Sequence, residues 1–191
     1  MFKYPFYEDQ RVALLIIDMI NDFKFEYGKA LAEKALPMSD SILKLKQQFK
    51  QQNLPVIYIN DHYNLWQANL PRLLDHCLNK QSEPILKKLA PQEDDYFLIK
   101  PKHSAFYNTS LETLLRELDI DTLVLTGIAG NICVLFTAND AYMRGYKLII
   151  PSDCITSNDS RDNEYALLMM KNVLKAHLFS TKDMTESLSD E

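Results

Sequence analysis

The chain has 191 residues, of which 47% are hydrophobic and 25% charged, and its formal net charge is −5 at pH 7. This length suits one α/β domain with a buried core. A negative charge without a basic stripe excludes a nucleic-acid surface, so the expected partner is a small molecule. No apolar run approaches the roughly 20 residues of a membrane span. The 3 scattered cysteines indicate free thiols and a cytoplasmic protein.

Short apolar runs alternate with longer segments of helical periodicity. The run RVALLIID at 11–18 is almost continuously apolar, which predicts a strand buried on both faces, as in the centre of a parallel sheet. Similar or shorter runs predict further strands at 54–61, 95–100, 121–127, 146–153 and 176–180. Apolar residues spaced three and four apart predict helices at 39–53, 110–119, 130–145 and 160–176.

This alternation predicts one domain over residues 1–180. We expect a doubly wound, mainly parallel, Rossmann-like α/β sheet of about six strands with helices on both faces. Residues 181–191 are polar and acidic and are expected to form a flexible tail. The least regular stretch, 61–94, is a candidate lid over a substrate site.

Four residues with charged or reactive side chains stand at or just after predicted strand ends: Asp18, Asp61, Lys100 and Cys133. The carboxyl ends of parallel strands share one edge of the sheet, where ligands bind, so we expect these side chains to converge. Asp18 can cap the following segment or act as a general base. Lys100 beside a thiolate and a carboxylate would stabilise both anions, and Lys102 is an open alternative for this role.

Cys133 lies in GIAGNICVLF, where a strand passes into a helix. A free cysteine is most often an inert core residue. At a helix N-terminus, however, backbone N–H groups and the helix dipole lower the pKa of a thiol and can stabilise an oxyanion. We therefore expect a pKa below the usual value of about 8.5, and alkylation of Cys133 ahead of Cys77 and Cys154 in mildly acidic solution.

The histidines do not form a ligand pattern. His62, His76, His103 and His177 are isolated, and adjacent strand residues such as Asp61 and His62 point in opposite directions. We therefore expect a hydrolase without a metal or other cofactor. The segment GIAG lacks both the dinucleotide fingerprint and the P-loop lysine, which argues against a nucleotide-binding protein.

A family resemblance is carried by three segments taken together: ALLIIDMINDF at 13–23, IKPKHSAFYNTSLETLL at 99–115, and LVLTGIAGNICVLFTANDAYMRGYKLIIPSDC at 123–154. They resemble the isochorismatase-like cysteine hydrolases, the superfamily that contains nicotinamidases and N-carbamoylsarcosine amidase. The resemblance covers most of the chain in the right order and is weakest over 61–94. It implies the isochorismatase-like fold.

The resemblance also implies roles for individual residues. Asp18 matches the catalytic aspartate, Lys100 the lysine of the Lys-x-x-x-Ser-Ala-Phe motif, and Cys133 the nucleophile. A cis peptide bond is implied between Ile128 and Ala129, with an oxyanion hole formed by the N–H groups of Ala129 and Cys133. Isochorismatases of the family cleave a vinyl ether and lack this cysteine, so Cys133 favours attack on a carbonyl carbon.

The implied activity is hydrolysis of a C–N bond in a small amide, ureide or carbamate through a thioester acyl-enzyme. The alternatives are nicotinamidase or isochorismatase-type activity, or a non-catalytic member of the fold that binds a small molecule. Nicotinamidases carry an aspartate and two histidines for a metal near the second strand, which YINDHYNLWQANL does not provide. The family further implies a homo-oligomer, either a dimer or a tetramer. Candidate pocket residues are Phe23, Asp61, Trp66, Phe106 and Asn131.

Overall fold

The computed structural model describes residues 11–181. Its strands are β1 (Val12–Ile17), β2 (Val56–Asp61), β3 (Tyr96–Lys100), β4 (Thr122–Ile128), β5 (Lys147–Pro151), β6 (Ile155–Thr156) and β7 (His177–Phe179). They form one sheet of seven strands in the order β3-β2-β1-β4-β5-β7, with β6 beside the end of β4. Every strand pair is parallel, so all carboxyl ends lie at the same edge.

Helices cover both faces of this sheet: α1 (Gly28–Gln51), α2 (Leu70–Cys77), α3 (Glu83–Leu89), α4 (Leu111–Glu117), α5 (Leu135–Met143) and α6 (Ser160–Asn172). The side chains of β1 alternate between two cores, as the period of a strand requires. Leu15 and the residues two positions before and after it pack with residues of α4, α5 and α6, whereas Leu14 and Ile16 pack with α1. The predicted α/β fold with helices on both faces is confirmed.

Helix α1 and strand β6 both differ from the sequence-based prediction. Helix α1 begins at Gly28 instead of residue 39, and it contains Pro37. Pro37 is exposed, and the alanine-rich segment before it has high helix propensity. Ser39, the first residue of the predicted helix, is buried inside α1 and donates a hydrogen bond from Oγ to the Leu36 carbonyl. The short strand β6 was not predicted.

Residues 61–94 are not an open loop. They contain α2 and α3, and Leu73, Cys77 and Leu86 pack with Ile20 in a small third core. At the other end, Thr181 is buried and its N–H donates to Asp153 at 2.8 Å. The rest of the expected flexible tail lies outside the described residues. Within residues 11–181, no helix is both long and apolar enough to cross a membrane.

Candidate active site

Asp18 directly follows β1 and adopts a left-handed backbone conformation, with φ of 53°. Few residues other than glycine tolerate this conformation, and aspartate is among them. Its Oδ1 accepts a hydrogen bond from the Asp61 backbone N–H at 2.8 Å, and its Oδ2 lies 2.8 Å from Lys100 Nζ. Asp18 is only 5% exposed, so these two contacts fix the carboxylate at the carboxyl edge of the sheet.

Lys100 is the last residue of β3 and is 1% exposed. Its ammonium group contacts Asp18 Oδ2 at 2.8 Å, the Lys102 carbonyl at 3.2 Å and Cys133 Sγ at 3.5 Å. An ammonium group has three donors, and these contacts use all of them. The structure therefore places Lys100, and not the exposed side chain of Lys102, between the carboxylate and the thiol.

Cys133 is carried by a π-helical turn, Gly130–Val134, that leads from β4 into α5. Such turns occur frequently at functional sites. β4 reaches this point through Gly127, which pairs with Ile17 and has φ of 113°. A Cβ at Gly127 would lie 2.0 Å from the Ile17 carbonyl oxygen, so only glycine permits this close approach. The Ile128–Ala129 peptide bond is cis, in agreement with the family resemblance.

The segment after Lys100 is tied to α5 by buried hydrogen bonds. Thr137 Oγ1 accepts from the Ala105 N–H at 3.0 Å and donates to the Cys133 carbonyl at 2.7 Å. One turn further along α5, Asp140 accepts a hydrogen bond from Ser104 Oγ at 2.5 Å. These bonds hold the Ser-Ala-Phe segment and the turn that carries Cys133 at a fixed distance from each other.

The thiol of Cys133 has a higher pKa than usual, because it is buried and because the Asp18 carboxylate repels a second negative charge nearby. Lys100 opposes this shift and does not reverse it. For Lys100, burial alone would lower the pKa, but Asp18 and Cys133 raise it above 10.5. The expectation of a lowered cysteine pKa is therefore wrong. In the resting site, Cys133 is a neutral thiol beside an ammonium–carboxylate pair.

Exposure and pKa together predict the order in which the cysteines are alkylated. Cys133 lines a cavity, whereas Cys77 and Cys154 are fully buried and burial also raises their thiol pKa, that of Cys77 to about 12. Iodoacetamide should therefore modify Cys133 first in the native protein. Because the thiolate is the reactive form and the thiol pKa is raised, the rate should still increase as the pH rises above about 8.5, the usual thiol pKa.

Peptide mapping after timed labelling measures this order, and the unfolded protein, in which all three thiols are accessible, is the control. Equal labelling of the three cysteines in the native protein would contradict the prediction. So would a rate at Cys133 that is already constant at neutral pH.

A cavity of about 170 Å³ opens beside Cys133. Its lining includes residues that the sequence did not point to, foremost His103 and Asn158. His103 is exposed, and its Nδ1 lies 3.9 Å from Cys133 Sγ. His103 belongs to the Lys-x-x-x-Ser-Ala-Phe segment, so its position three residues after the lysine was a signal in the sequence. Asn158 follows β6, and no sequence pattern pointed to it. The complete lining is Asp18, Asn21, Phe25, Leu31, His103, Ile128, Ala129, Ile132, Cys133 and Asn158.

The five predicted pocket residues do not line this cavity. Phe23 and Phe106 are buried in the cores on opposite faces of the sheet. Trp66 is 67% exposed and stacks on His62 with ring centroids 3.9 Å apart. Asp61 contributes its N–H to Asp18, while its carboxylate accepts from the Tyr63 N–H at 2.7 Å. The Asn131 side chain points to Asp162, with Nδ2 at 3.4 Å from Oδ2.

The residues for a metal site do not converge either. Within residues 11–181 there is no group of three or more histidine, cysteine, aspartate or glutamate side chains that could hold a metal ion. His62 accepts a hydrogen bond from the Asn64 N–H at 3.0 Å, and His76 packs against Tyr63. Independence of a metal remains a prediction that requires an assay.

The fold and the site define a class: parallel α/β proteins with a cysteine beside a buried aspartate–lysine pair at the carboxyl edge of the sheet. Within that class, the isochorismatase domain profile matches residues 12–183. The chain therefore belongs to the isochorismatase family of hydrolases, which confirms the resemblance carried by the three sequence segments.

Individual relatives agree with this assignment. The chain is 56% identical over 174 residues to an uncharacterized isochorismatase family protein, YaaI, from Bacillus subtilis, covering 91% of this chain and 96% of YaaI. It is similar to the structure of nicotinamidase PncA from Bacillus subtilis (30% identity, TM-score 0.68, 88% and 98% of the two chains). It is also similar to the structure of N-carbamoylsarcosine amidase from Thermoplasma acidophilum (27% identity, TM-score 0.66, 90% and 96%).

Proposed function

We propose that this protein is a cysteine-dependent hydrolase that cleaves a C–N bond in a small amide, ureide or carbamate through a thioester acyl-enzyme. The observation that carries the proposal is the position of Lys100 Nζ, which lies 2.8 Å from Asp18 and 3.5 Å from Cys133 Sγ. A carboxylate that can accept a proton, a thiol that can supply one, and a cation that stabilises either anion are the parts that nucleophilic catalysis needs.

The reaction begins from the neutral thiol. As Cys133 Sγ attacks the carbonyl carbon, Asp18 takes its proton, and the ammonium of Lys100 stabilises the sulfur while negative charge develops. The backbone N–H groups of Ala129 and Cys133 are the proposed donors to the oxyanion. The C–N bond then breaks, and Asp18 transfers its proton to the leaving nitrogen.

Hydrolysis of the thioester repeats these proton transfers with water. Asp18 accepts a proton from a water molecule whose oxygen attacks the thioester carbon. The C–S bond breaks, a carboxylic or carbamic acid leaves, and Asp18 returns the proton to Cys133. The raised pKa of Cys133 favours this last proton transfer, because a thiolate of high pKa takes its proton back readily.

A nicotinamidase is the second candidate, and the structural similarity to the nicotinamidase of Bacillus subtilis favours it. The two candidates are separated by a panel of nicotinamide, N-carbamoylsarcosine and small acyclic amides, ureides and carbamates, assayed for release of ammonia or amine. The Cys133→Ala variant is the control for each compound. The proposal fails if no compound is hydrolysed by the wild type, or if Cys133→Ala retains the activity.

Removal of metal ions is expected to leave the activity unchanged. Thiol, carboxylate and backbone donors suffice for acyl transfer, so no step calls for a Lewis acid. The measurement is turnover before and after treatment with a chelator, with metal removal checked by elemental analysis. Loss of activity that stoichiometric zinc, iron or manganese restores would instead support a metal-dependent nicotinamidase.

A further inference from the structure

Asn158 lines the cavity beside Cys133, and its side-chain oxygen is buried without a hydrogen-bond partner. Within residues 11–181, Oδ1 of Asn158 is the single buried side-chain nitrogen or oxygen in this condition. A carbonyl group that is withdrawn from water and left unpaired lowers the stability of the fold. Buried groups of this kind are uncommon, and those beside a reactive residue often serve the function.

The backbone of Asn158 is held firmly. Lys34 Nζ, which reaches across from α1, donates to the Asn158 carbonyl at 2.6 Å and lies 3.1 Å from Ser160 Oγ. The preceding residue, Ser157, accepts at Oγ from the Asn131 N–H of the π-helical turn at 3.0 Å. Asn158 is therefore fixed relative to the turn that carries Cys133. Oδ1 itself is closed off from solvent and so does not face the cavity in this conformation. The χ2 torsion of asparagine is soft, so rotation of the amide can turn Oδ1 toward a ligand.

An unpaired carbonyl oxygen can accept a hydrogen bond from a ligand that carries an N–H or O–H donor. The leaving nitrogen of the substrate already has a partner in the proposed reaction, namely Asp18. Besides Asp18, Asn158 and the thiol, the lining contains two polar side chains, Asn21 and His103, and is otherwise apolar. Once rotation of the amide brings Oδ1 to this wall, the acceptor discriminates strongly, because a ligand without a matching donor leaves it unpaired.

We propose that Asn158 is a substrate-recognition residue that accepts a hydrogen bond from an N–H group of the substrate other than its leaving nitrogen. The inference rests on the proposed function, since it assigns the leaving nitrogen to Asp18. The cavity volume of about 170 Å³ restricts the substrate further. The substrate class is a small acyl compound with a second N–H donor near the scissile carbonyl.

The first test measures stability and needs no substrate. Asn158→Leu replaces the amide with an apolar group of similar shape, so the penalty of the unpaired oxygen disappears. The melting temperature should rise by about 2–4 °C, the shift typical of a modest stabilisation in a chain of this size. Asn172→Leu, at an exposed position at the end of α6, is the matched control and should leave the melting temperature unchanged.

The second test measures recognition through alkylation of Cys133. Iodoacetamide carries N–H donors, whereas 2-iodo-N,N-dimethylacetamide carries none. The ratio of their rates at Cys133, followed by peptide mapping at one pH, reports whether the site favours an N–H donor. Asn158→Leu should reduce this ratio by about 3–10-fold, the effect of losing one hydrogen bond. Asn172→Leu should not change it, and glutathione gives the intrinsic ratio of the two reagents.

The melting temperature and the ratio of alkylation rates test two separate parts of the proposal. An unchanged rate ratio in Asn158→Leu overturns the recognition role, whatever happens to the melting temperature. An unchanged or lower melting temperature overturns the claim that Oδ1 is unpaired. If Asn158→Leu does not fold, Asn158→Ala must show the same loss in the rate ratio. Alkylation does not depend on hydrolysis, so a falling ratio together with an inactive compound panel would count against the proposed function alone.

Discussion

Replacing Asp18 with asparagine is expected to reduce turnover by about 10²–10⁴-fold, the usual contribution of a general base. An amide cannot accept the thiol proton. Its oxygen can still accept the Asp61 N–H, which lies 2.8 Å from the carboxylate in the wild type, so the local turn should persist. The measurement is the turnover number on a compound that the wild-type enzyme hydrolyses.

Asp22→Asn is the matched control for this substitution. Asp22 is also close to the end of β1, but its carboxylate accepts a hydrogen bond from the Lys24 N–H at 3.0 Å and does not line the cavity. Its replacement should leave turnover near the wild-type value. If Asp18→Asn were as active as Asp22→Asn, Asp18 would not be the base and a group such as His103 would have to take its place.

The sheet was predictable because its signals are local. A strand buried on both faces reads as a continuous apolar run, and β1, β2 and β4 each show one. The part of α1 before residue 39 was not predicted. It contains Pro37, a residue that normally interrupts a helix, but Ala35 and Met38 on either side of it pack into the core and stabilise the helix there. The two residues of β6 are too few to produce any pattern.

The candidate site was partly predictable, because the carboxyl ends of parallel strands lie at the same edge of a sheet. Asp18, Lys100 and Cys133 lie at or after such ends, and the structure brings Asp18 and Cys133 within contact distance of the Lys100 ammonium group. The direction of the Cys133 pKa shift was not predictable from its place at a helix start. It depends on burial and on the distance to Asp18, and the tertiary fold sets both.

The pocket residues were the least predictable part. Phe23 and Phe106 were chosen because aromatic side chains often line ligand sites, but such side chains fill cores more often. Asn158 carries no pattern that distinguishes it from a surface residue, and His103 was marked only by its place in the Lys-x-x-x-Ser-Ala-Phe segment. Only the course of the chain after β3 and β6 places them at the cavity.

Replacing Lys100 with methionine is expected to destabilise the protein by about 3–5 kcal/mol and to abolish most of the turnover. Both partners of the Lys100–Asp18 pair are almost fully buried, with 2% and 8% of their side chains exposed. Removing the cation alone leaves the Asp18 carboxylate buried without its charge partner. Urea denaturation should therefore show a large loss in the free energy of unfolding.

A double-mutant cycle separates the structural role of Lys100 from its chemical one. Asp18→Asn combined with Lys100→Met removes both charges, so it should be more stable than Lys100→Met alone, because no buried charge then lacks a partner. The double variant should nevertheless remain inactive, since neither the base nor the cation beside Cys133 is present. Lys102→Met is the control: its side chain is exposed and only its backbone carbonyl contacts Lys100, so stability and turnover should stay near wild type. If the double variant were no more stable than Lys100→Met, the loss of stability would come from the missing packing of the lysine side chain and not from the broken charge pair.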